Sequence, residues 1–434
     1  MKPVLRLAVI LFMAVLISVL FWTDDAARAD SSLDAAREEA RRVLGVVCPD
    51  GLEDGETLAR RLGYSALESD TGAGPVVRRR RAIVTDPKHG RLMLTERRRA
   101  GAVDYIELRA QVSVAGALRP VLMVRVNADC LPITARALGY DERGKPSRLL
   151  DLDAALNTAG SPVDLNPAVP PGIDFGGVRV GQIDSGVNYR LPEIASRLAR
   201  DTAGFSLGWD YWDDDPRPFD MSPVPNPFFP LHHGTAVASV LLREAPAASL
   251  VPYRYPRPTM ARMAELIDAA AEAGVTIMMV PMGSRRAGEW HGFLSAALRH
   301  PEMLFVVSAG DDGLDLERDA LYPASFGLAN MLVVTSSDDF GRLAEGANWG
   351  VGSIHVMAPG ERVPVTDHRG AAGKASGSSF AVPRVAALSA RLKERNPAWT
   401  APELKAAILA RAVAPLMRGR PVVSAGWLAN PAAD

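Results

Sequence analysis

The sequence predicts an α/β protein: a mostly parallel sheet with helices on both faces, preceded by a small α+β N-terminal domain. Two observations support this. From residue 178 onward, short apolar runs rich in β-branched residues alternate with helical patterns, which is typical of a parallel sheet that is covered on both faces. Residues 31–155 instead carry a helical pattern followed by successive short strand patterns separated by turn residues. At 434 residues the chain is long enough for both units.

The chain begins with the features of an export signal. Lys2 and Arg6 precede the apolar run 7–22, and Ala27-Arg28-Ala29 has the small-x-small pattern of a cleavage site. We therefore expect a signal peptide over residues 1–29 and an exported protein, either periplasmic or secreted. The run is long for a signal peptide and short for a membrane span, so an uncleaved N-terminal anchor is the alternative. A membrane is a partner only in that case.

Residues 31–155 are expected to form the small α+β domain. Its sequence predicts a helix to about residue 48, strands near 82–84, 90–94, 105–108 and 121–124, and a hairpin over 135–149. In an oxidising compartment its two cysteines, Cys48 and Cys130, are expected to form one disulfide, although two separate buried thiols would also fit. Residues 156–177, rich in Pro, Gly and Asn, predict a linker.

The region from 178 to 434 carries the alternating pattern. Strands are predicted at 178–183, 275–280, 303–307 and 331–335, with helices at 260–273 and 294–298. Function gathers at the carboxyl ends of strands in such sheets. The first strand ends at Asp184, and the next two lead into residues 281–283 and 309–311.

Gly377-Ser378-Ser379 leads into an apolar helical pattern that runs through Leu392. Pro383 is expected in the first helical turn, where a missing N–H costs little. Ser379 would then lie at a helix N-terminus, which favours developing negative charge. A serine nucleophile needs a base and an acid that orients the base, and His233 and Asp184 supply these residue types. Taken singly, each has a structural explanation, as a turn, loop or capping residue.

Three stretches resemble the signature blocks of the subtilisin-like serine peptidases: 183–187, 233–238 and 377–383. They occur in that family's Asp, His, Ser order. The resemblance covers about three-fifths of the chain, from residue 174 onward, and implies a subtilisin-like peptidase domain at 178–434. It implies that Ser379 attacks the peptide carbonyl, that His233 is the general base and then the general acid, and that Asp184 orients the imidazole.

The resemblance also assigns residues that bind the substrate and the oxyanion. Those expected to line the substrate are Pro281, Met282, Gly283, Ala309 and Gly310. Asp311 stands where the family usually has an asparagine that donates to the oxyanion. An ionised Asp311 would repel the oxyanion. Either it is protonated and donates, or another group fills the hole, or the enzyme is slow or narrow in scope.

These observations predict an exported serine endopeptidase that acts on protein or peptide substrates. The alternative is a non-hydrolytic binding or scaffolding protein on the same fold. A net charge of −1 argues against a nucleic-acid partner. No cofactor is required and no metal site is predicted. Structural calcium is compatible with the Asp213–Asp215 run, although a solvated acidic turn is expected there. The N-terminal domain, as a propeptide or accessory module, could contact the active-site cleft.

Overall fold

A computed structural model describes residues 32–48, 51–73, 77–86, 90–224, 226–414 and 422–433. The predicted signal peptide or anchor at residues 1–29 lies outside these ranges. The described chain divides into two compact units, with the boundary between Leu165 and Asn166 and a short segment, 226–229, grouped with the first unit. Within the part of the chain that the structure describes, every helix is too short or too polar to span a lipid bilayer.

The first unit is an antiparallel meander with two helices on one face. Its strands pair in chain order, and its core is formed by apolar residues that alternate along the strands, packed under the helices. The Asp54 side chain caps the second helix by accepting from the Glu56 and Thr57 N–H groups. Its elements are α1 (32–48), α2 (Gly55–Leu62), β1 (Ser65–Ala73), β2 (Val77–Asp86), β3 (Gly90–Arg99), β4 (Ala102–Val114), β5 (Ala117–Val126), β6 (Pro132–Tyr140), β7 (Pro146–Leu152) and β8 (Thr158–Asp164).

Cys48 and Cys130 are joined in a disulfide, with their Cα atoms 5.7 Å apart. The bond ties the end of α1 to the turn between β5 and β6. It closes a loop of 82 residues. In the chain-entropy description such a loop stabilises the folded unit by about 4 kcal/mol.

The linker prediction for residues 156–177 was wrong over its first third. Strand β8 lies there and pairs with β7, so the first sheet continues past the predicted boundary at residue 155. Every residue of β8, the edge strand of the meander, is exposed. An exposed strand has no buried face, and its sequence therefore lacks the alternation that would have revealed it.

The second unit is a parallel sheet with the spatial order β10-β11-β9-β12-β13-β14-β15-β18, in which all the pairings are parallel. A separate antiparallel hairpin is formed by β16 and β17. The strands are β9 (Arg179–Asp184), β10 (Trp209–Asp210), β11 (Ser249–Arg254), β12 (Ile277–Val280), β13 (Leu304–Ser308), β14 (Met331–Ser337), β15 (Val356–Pro359), β16 (Val363–Thr366), β17 (Ala372–Ala375) and β18 (Gly426–Trp427). The helices are α3 (Pro192–Ala195), α4 (Gly234–Glu244), α5 (Met263–Glu272), α6 (His291–Arg299), α7 (Ser378–Arg395) and α8 (Ala401–Leu409).

Both faces of this sheet are covered, as the sequence predicts. Adjacent residues of β12 belong to different cores: Met279 packs in a cluster with α4 and α7, whereas Met278 packs in a cluster with α5 and α6. Burial on both sides explains why these strands read as continuous apolar runs. The carboxyl ends of β9, β12 and β13 lie on neighbouring central strands of one sheet. Loops that follow them therefore meet at a common edge.

The prediction that Pro383 lies in the first turn of its helix was wrong. Helix α7 begins at Ser378, so Pro383 is the sixth helical residue and lies in the second turn. A proline there cannot donate to the carbonyl four residues earlier, which is that of Ser379. The helix nevertheless continues to Arg395, because twelve of its 18 residues are buried in the core.

Candidate active site

Asp184 and His233 form a direct pair at the edge where β9 ends. The two carboxylate oxygens of Asp184 lie 2.9 and 3.0 Å from His233 Nδ1. Asp184 is 4% exposed, and its Oδ1 also accepts from the Ser185 N–H at 2.7 Å. His233 occupies the N-cap position of α4 and keeps 37% side-chain exposure. A carboxylate held in this way fixes the tautomer, with Nδ1 protonated and Nε2 available as a base.

The surroundings of His233 favour its charged form. Burial alone would lower the pKa of His233, but the charge and hydrogen bond of Asp184 outweigh burial and raise the pKa to about 9, with further contributions from Asp220 and Asp311. Because the ring is partly exposed, water screens some of this effect. The site is therefore built to stabilise an imidazolium, the species formed when His233 takes a proton from a nucleophile.

Gly234 makes this approach of α4 to the end of β9 sterically allowed. A Cβ atom at residue 234 would lie 2.0 Å from the Gly186 carbonyl oxygen and 3.1 Å from Asp184 Cβ. Any side chain would therefore push the start of the helix, and with it His233, away from Asp184.

Ser379 is the second residue of α7 and is partly buried. Its hydroxyl donates to the Pro281 carbonyl at 3.0 Å, and the structure shows no hydrogen bond between Ser379 and His233. The neighbouring Phe380 ring lies 5.6 Å from the His233 ring, measured between centroids. The start of α7 thus lies beside the imidazole.

Asp311 is bound to the start of α7 as a hydrogen-bond acceptor. Its oxygens lie 2.8 and 3.1 Å from the Ser378 N–H nitrogen, and Oδ2 accepts from the Ser378 hydroxyl at 2.8 Å. Ser378 Oγ in turn lies 2.7 Å from Ser308 Oγ and accepts from the Gly310 N–H at 3.1 Å. Asp311 is exposed to solvent. The carboxylate therefore serves as an external cap for α7, which is a position that favours negative charge.

The buried Asn348 is not positioned to replace the missing amide donor. It lies beside Gly310, but its Nδ2 donates to the Ala309 carbonyl at 2.8 Å. Its Oδ1 accepts from the Asp312 and Leu314 N–H groups. Its side chain is committed to holding the loop after β13.

The other residues assigned to substrate binding follow the ends of β12 and β13. Pro281 is buried, Met282 is partly buried and Gly283 is exposed. A Cβ at Gly283 would lie 2.9 Å from the Tyr322 carbonyl oxygen. Ala309 is fully buried, whereas Gly310 has φ +86°, which a residue with a side chain rarely adopts.

The acidic run at Asp213–Asp215 is neutralised by arginines of the same unit. Asp213 pairs with Arg254 at 2.5 Å, and Arg254 also binds the fully buried Asp210 at 2.7 Å. The two following carboxylates pair with other arginines, Asp214 with Arg262 and Asp215 with Arg217, each at 2.9 Å. These residues do not fit a calcium site, because one oxygen of each carboxylate is already bonded to a guanidinium group. Structural calcium elsewhere stays a prediction.

Two buried polar residues next to the pair were not predicted. Gln182 Nε2 donates to the Gly234 carbonyl at 2.8 Å and approaches Asp184 Oδ2 at 3.3 Å. Asp220 is fully buried and bonds to Ser185, His233 and Thr235. Gln182 interrupts an apolar strand, which is a weak signal that was available in the sequence. Asp220 lies in a proline-rich loop without periodicity, and nothing in the sequence marks it.

Comparison with known proteins identifies relatives of the second unit. The sequence profile of the Subtilase family matches residues 176–427. The "Thermophilic serine proteinase" of Bacillus sp. (strain AK1) is 26% identical over 235 residues, which are 51% of this chain and 53% of that protein. The "Thermostable alkaline protease" of Halalkalibacterium halodurans is 25% identical, over 61% of this chain and 74% of that protein. The chain thus spans about half the length of the Bacillus relative. A solved cold-adapted subtilisin-like serine proteinase aligns with a TM-score of 0.49 and 21% identity, over 60% of this chain and 91% of that one.

Proposed function

This chain belongs to the subtilase family, and on that premise we propose that it is an exported serine endopeptidase with Asp184, His233 and Ser379 as its catalytic residues. One observation carries the proposal: a buried carboxylate holds Nδ1 of a partly exposed histidine beside the start of the helix that bears the serine. Proteins and peptides are the proposed substrates. Export rests on the N-terminal apolar run, outside the described residues.

In the proposed reaction, Ser379 Oγ attacks the peptide carbonyl while His233 Nε2 takes the hydroxyl proton. The serine hydroxyl must first leave the Pro281 carbonyl, which a rotation about its χ1 torsion accomplishes. Catalytic hydrogen bonds of this kind often form only once substrate is bound. His233 then returns the proton to the leaving amine, an acyl-enzyme forms, and water completes the hydrolysis by the same steps.

The oxyanion of this reaction would form at the N-terminus of α7. The Ser379 N–H lies in the first turn of the helix, where backbone donors have no partner within the helix. The helix dipole adds a favourable field. Asp311 already uses its oxygens to accept from Ser378, so as an anion it opposes this field instead of contributing a donor.

The acceptor role of Asp311 favours a second candidate function, that of a binding or scaffolding protein with the same fold and no catalytic turnover. The two candidates differ in the reactivity of Ser379. A peptidase activates this hydroxyl towards electrophiles, whereas a scaffold has no reason to do so.

The test is covalent labelling of the full chain with a fluorophosphonate probe between pH 5 and 9. We expect labelling of wild type at Ser379, its loss in Ser379→Ala, and faster labelling as the pH rises and His233 loses its proton. Ser376→Ala is the matched control, because Ser376 lies on the same loop and, among the described residues, its hydroxyl accepts from the Arg362 N–H. This variant should leave labelling unchanged. A folded wild-type protein that never labels, yet binds a partner equally well as Ser379→Ala, would establish the scaffold instead.

A further inference from the structure

Asp220 accepts four hydrogen bonds inside the second unit although it is completely buried. Its Oδ1 accepts from Ser185 Oγ at 2.6 Å and from the His233 N–H at 3.1 Å. Its Oδ2 accepts from the Thr235 N–H at 2.9 Å and from Thr235 Oγ1 at 2.5 Å. A carboxylate has about four lone-pair sites, so Asp220 is saturated.

These donors lie on both sides of the Asp184–His233 pair. Ser185 directly follows Asp184 at the end of β9, whereas His233 and Thr235 flank the first residue of α4. One buried carboxylate therefore ties the segment that carries the acid to the segment that carries the base. Two of its donors are N–H groups at a helix start, where a negative charge is stabilised.

The environment keeps Asp220 negatively charged. Burial alone would raise the pKa of Asp220, but the nearby His368 and the hydrogen bonds from Ser185 and Thr235 lower it to about 2. His368 Nδ1 lies 3.7 Å from Oδ2, which is too long for a hydrogen bond, so this contact is electrostatic.

Two imidazoles cover this carboxylate from other elements. The His232 and His368 rings stack with centroids 3.7 Å apart and planes at 11°, and His232 Nδ1 lies 2.5 Å from the Asp220 carbonyl oxygen. Burial, followed by the charge of His368, lowers the pKa of His232, and Arg369 acts in the same direction. Among the described residues, the titratable groups that contact Asp220, directly or through Ser185, thus include Asp184, His232, His233 and His368, and Arg369 acts on His232.

Asp220, His232 and His368 offer ligand atoms within 4.8 Å of one another, which is the composition of a metal site. Their geometry argues against a shared ion. A metal lies in the plane of each imidazole that it binds, and two parallel stacked rings have no common plane. The oxygens of Asp220 are also fully used.

We propose that Asp220 is a positioning residue for the peptidase reaction: its carboxylate holds the start of α4 against the end of β9, and it supplies a second negative charge to the His233 imidazolium. This inference rests on the proposed function. Asp220 touches none of the reacting atoms and acts through Ser185, Thr235 and the backbone of His233.

Asp220→Asn is the informative change because it keeps the shape of the side chain. The amide oxygen can still accept from Thr235. The Ser185 hydroxyl can turn its proton to Asp184 Oδ1, which lies 3.3 Å away, but its oxygen already accepts from the Gly234 and His233 N–H groups and has no lone pair left for the amide. The His233 N–H keeps its 3.2 Å hydrogen bond to Ser185 Oγ, but it loses the carboxylate oxygen of Asp220 and faces an amide NH₂ in its place. A hydrogen bond to a charged group has a strength that corresponds to roughly a ten- to hundredfold change. We expect kcat/KM to fall by about that factor and the acid limb of its pH profile to move to lower pH.

The matched control is Asp210→Asn. Asp210 is equally buried, but its partners are Arg254 and the Trp212 and Asp213 N–H groups. It should lose stability without moving the acid limb. NMR titration of the His233 ring measures the same electrostatic effect without turnover. All variants are made in the Ser379→Ala background for this measurement. Asp220→Asn should lower the measured His233 pKa, and Asp210→Asn should leave it unchanged.

The outcomes separate this inference from the proposed function. If Asp220→Asn folds and leaves both the acid limb and the NMR-detected His233 pKa unchanged, Asp220 is only structural and the inference fails. The same holds if Asp210→Asn produces equal shifts. If wild type never labels with fluorophosphonate, the proposed function fails, and the NMR titration alone still decides whether Asp220 controls the protonation of His233.

Discussion

Asp311→Asn replaces the acceptor at the expected oxyanion site by an amide, and the local hydrogen bonds can adapt to it. The asparagine oxygen can accept from the Ser378 N–H, which places the amide nitrogen opposite Ser378 Oγ. Ser378 Oγ must then become an acceptor there. It can do so because the 2.7 Å hydrogen bond between Ser378 and Ser308 can run in either direction. The reversal leaves the Ser308 hydroxyl proton without this acceptor, so we expect the free energy of unfolding to fall by about 1 kcal/mol.

The effect on turnover should be much larger. Removal of one amide donor from the oxyanion hole of subtilisin costs about a hundred- to thousandfold in kcat, or about 2.7–4 kcal/mol. Asp311→Asn makes the reverse change and also removes a negative charge. We therefore expect kcat to rise by up to about that factor, with KM nearly unchanged, because the oxyanion exists only in the transition state and intermediate.

The assay is steady-state hydrolysis of a peptide substrate between pH 5 and 9, with fluorophosphonate labelling to count active sites. Asp312→Asn is the control, since Asp312 is the adjacent exposed carboxylate and, among the described residues, its hydrogen bond is made by the backbone N–H, to Asn348. A loss of activity in Asp311→Asn would refute the reasoning, because it would mean that a protonated Asp311 is the working donor. A similar rise in Asp312→Asn would indicate a general charge effect.

Two further predictions concern packing and pH. Gly234→Ala should lower kcat at least tenfold and lower the free energy of unfolding by about 1–3 kcal/mol, because the new Cβ would clash with the Gly186 carbonyl. Gly288→Ala is the control, because the space around its new Cβ is open. Both variants are compared with wild type in kinetics and in urea unfolding. Burial, followed by the charge of Lys405, lowers the pKa of His355 to about 4. As the pH falls, His355 is therefore protonated in the unfolded chain before it is protonated in the folded one. The free energy of unfolding decreases between pH 6.5 and 4 and is about 2 kcal/mol lower at pH 5. His355→Asn, which can still accept from the Val333 N–H, should remove most of that loss in urea unfolding at pH 7.5 and 5, and an undiminished loss would contradict the assignment.

The elements with a clear apolar period were predictable. The strands β9, β12, β13 and β14 are buried on both sides, so their composition alone indicates a parallel sheet. Strand β11 was not predicted although all six of its residues are buried. It contains Ser249, Pro252 and Arg254, and the last is tolerated only because Asp210 and Asp213 pair with it.

The candidate site divides in the same way. Asp184, His233 and Ser379 stand in recognisable local patterns, at a strand end and at two helix starts. The residues that bind to these three do not stand in recognisable patterns, because their contacts are determined by how the loops cross in the folded protein. Asp220 lies 13 residues before His233, and its contacts depend on the path of an irregular loop. The acceptor role of Asp311 follows from the position of Ser378, which is 67 residues away in the sequence.

The burial of α7 has a consequence for mutational studies of this protein. The helix is about 27 Å long, carries Ser379 in its first turn, and contributes to the core along most of its length. A substitution at Leu392, near its far end, changes the packing of the same rigid element that positions the nucleophile. Random screens should therefore find activity defects at core positions far from the cleft, and only the folded fraction, measured beside the rate, distinguishes a displaced serine from an unfolded protein.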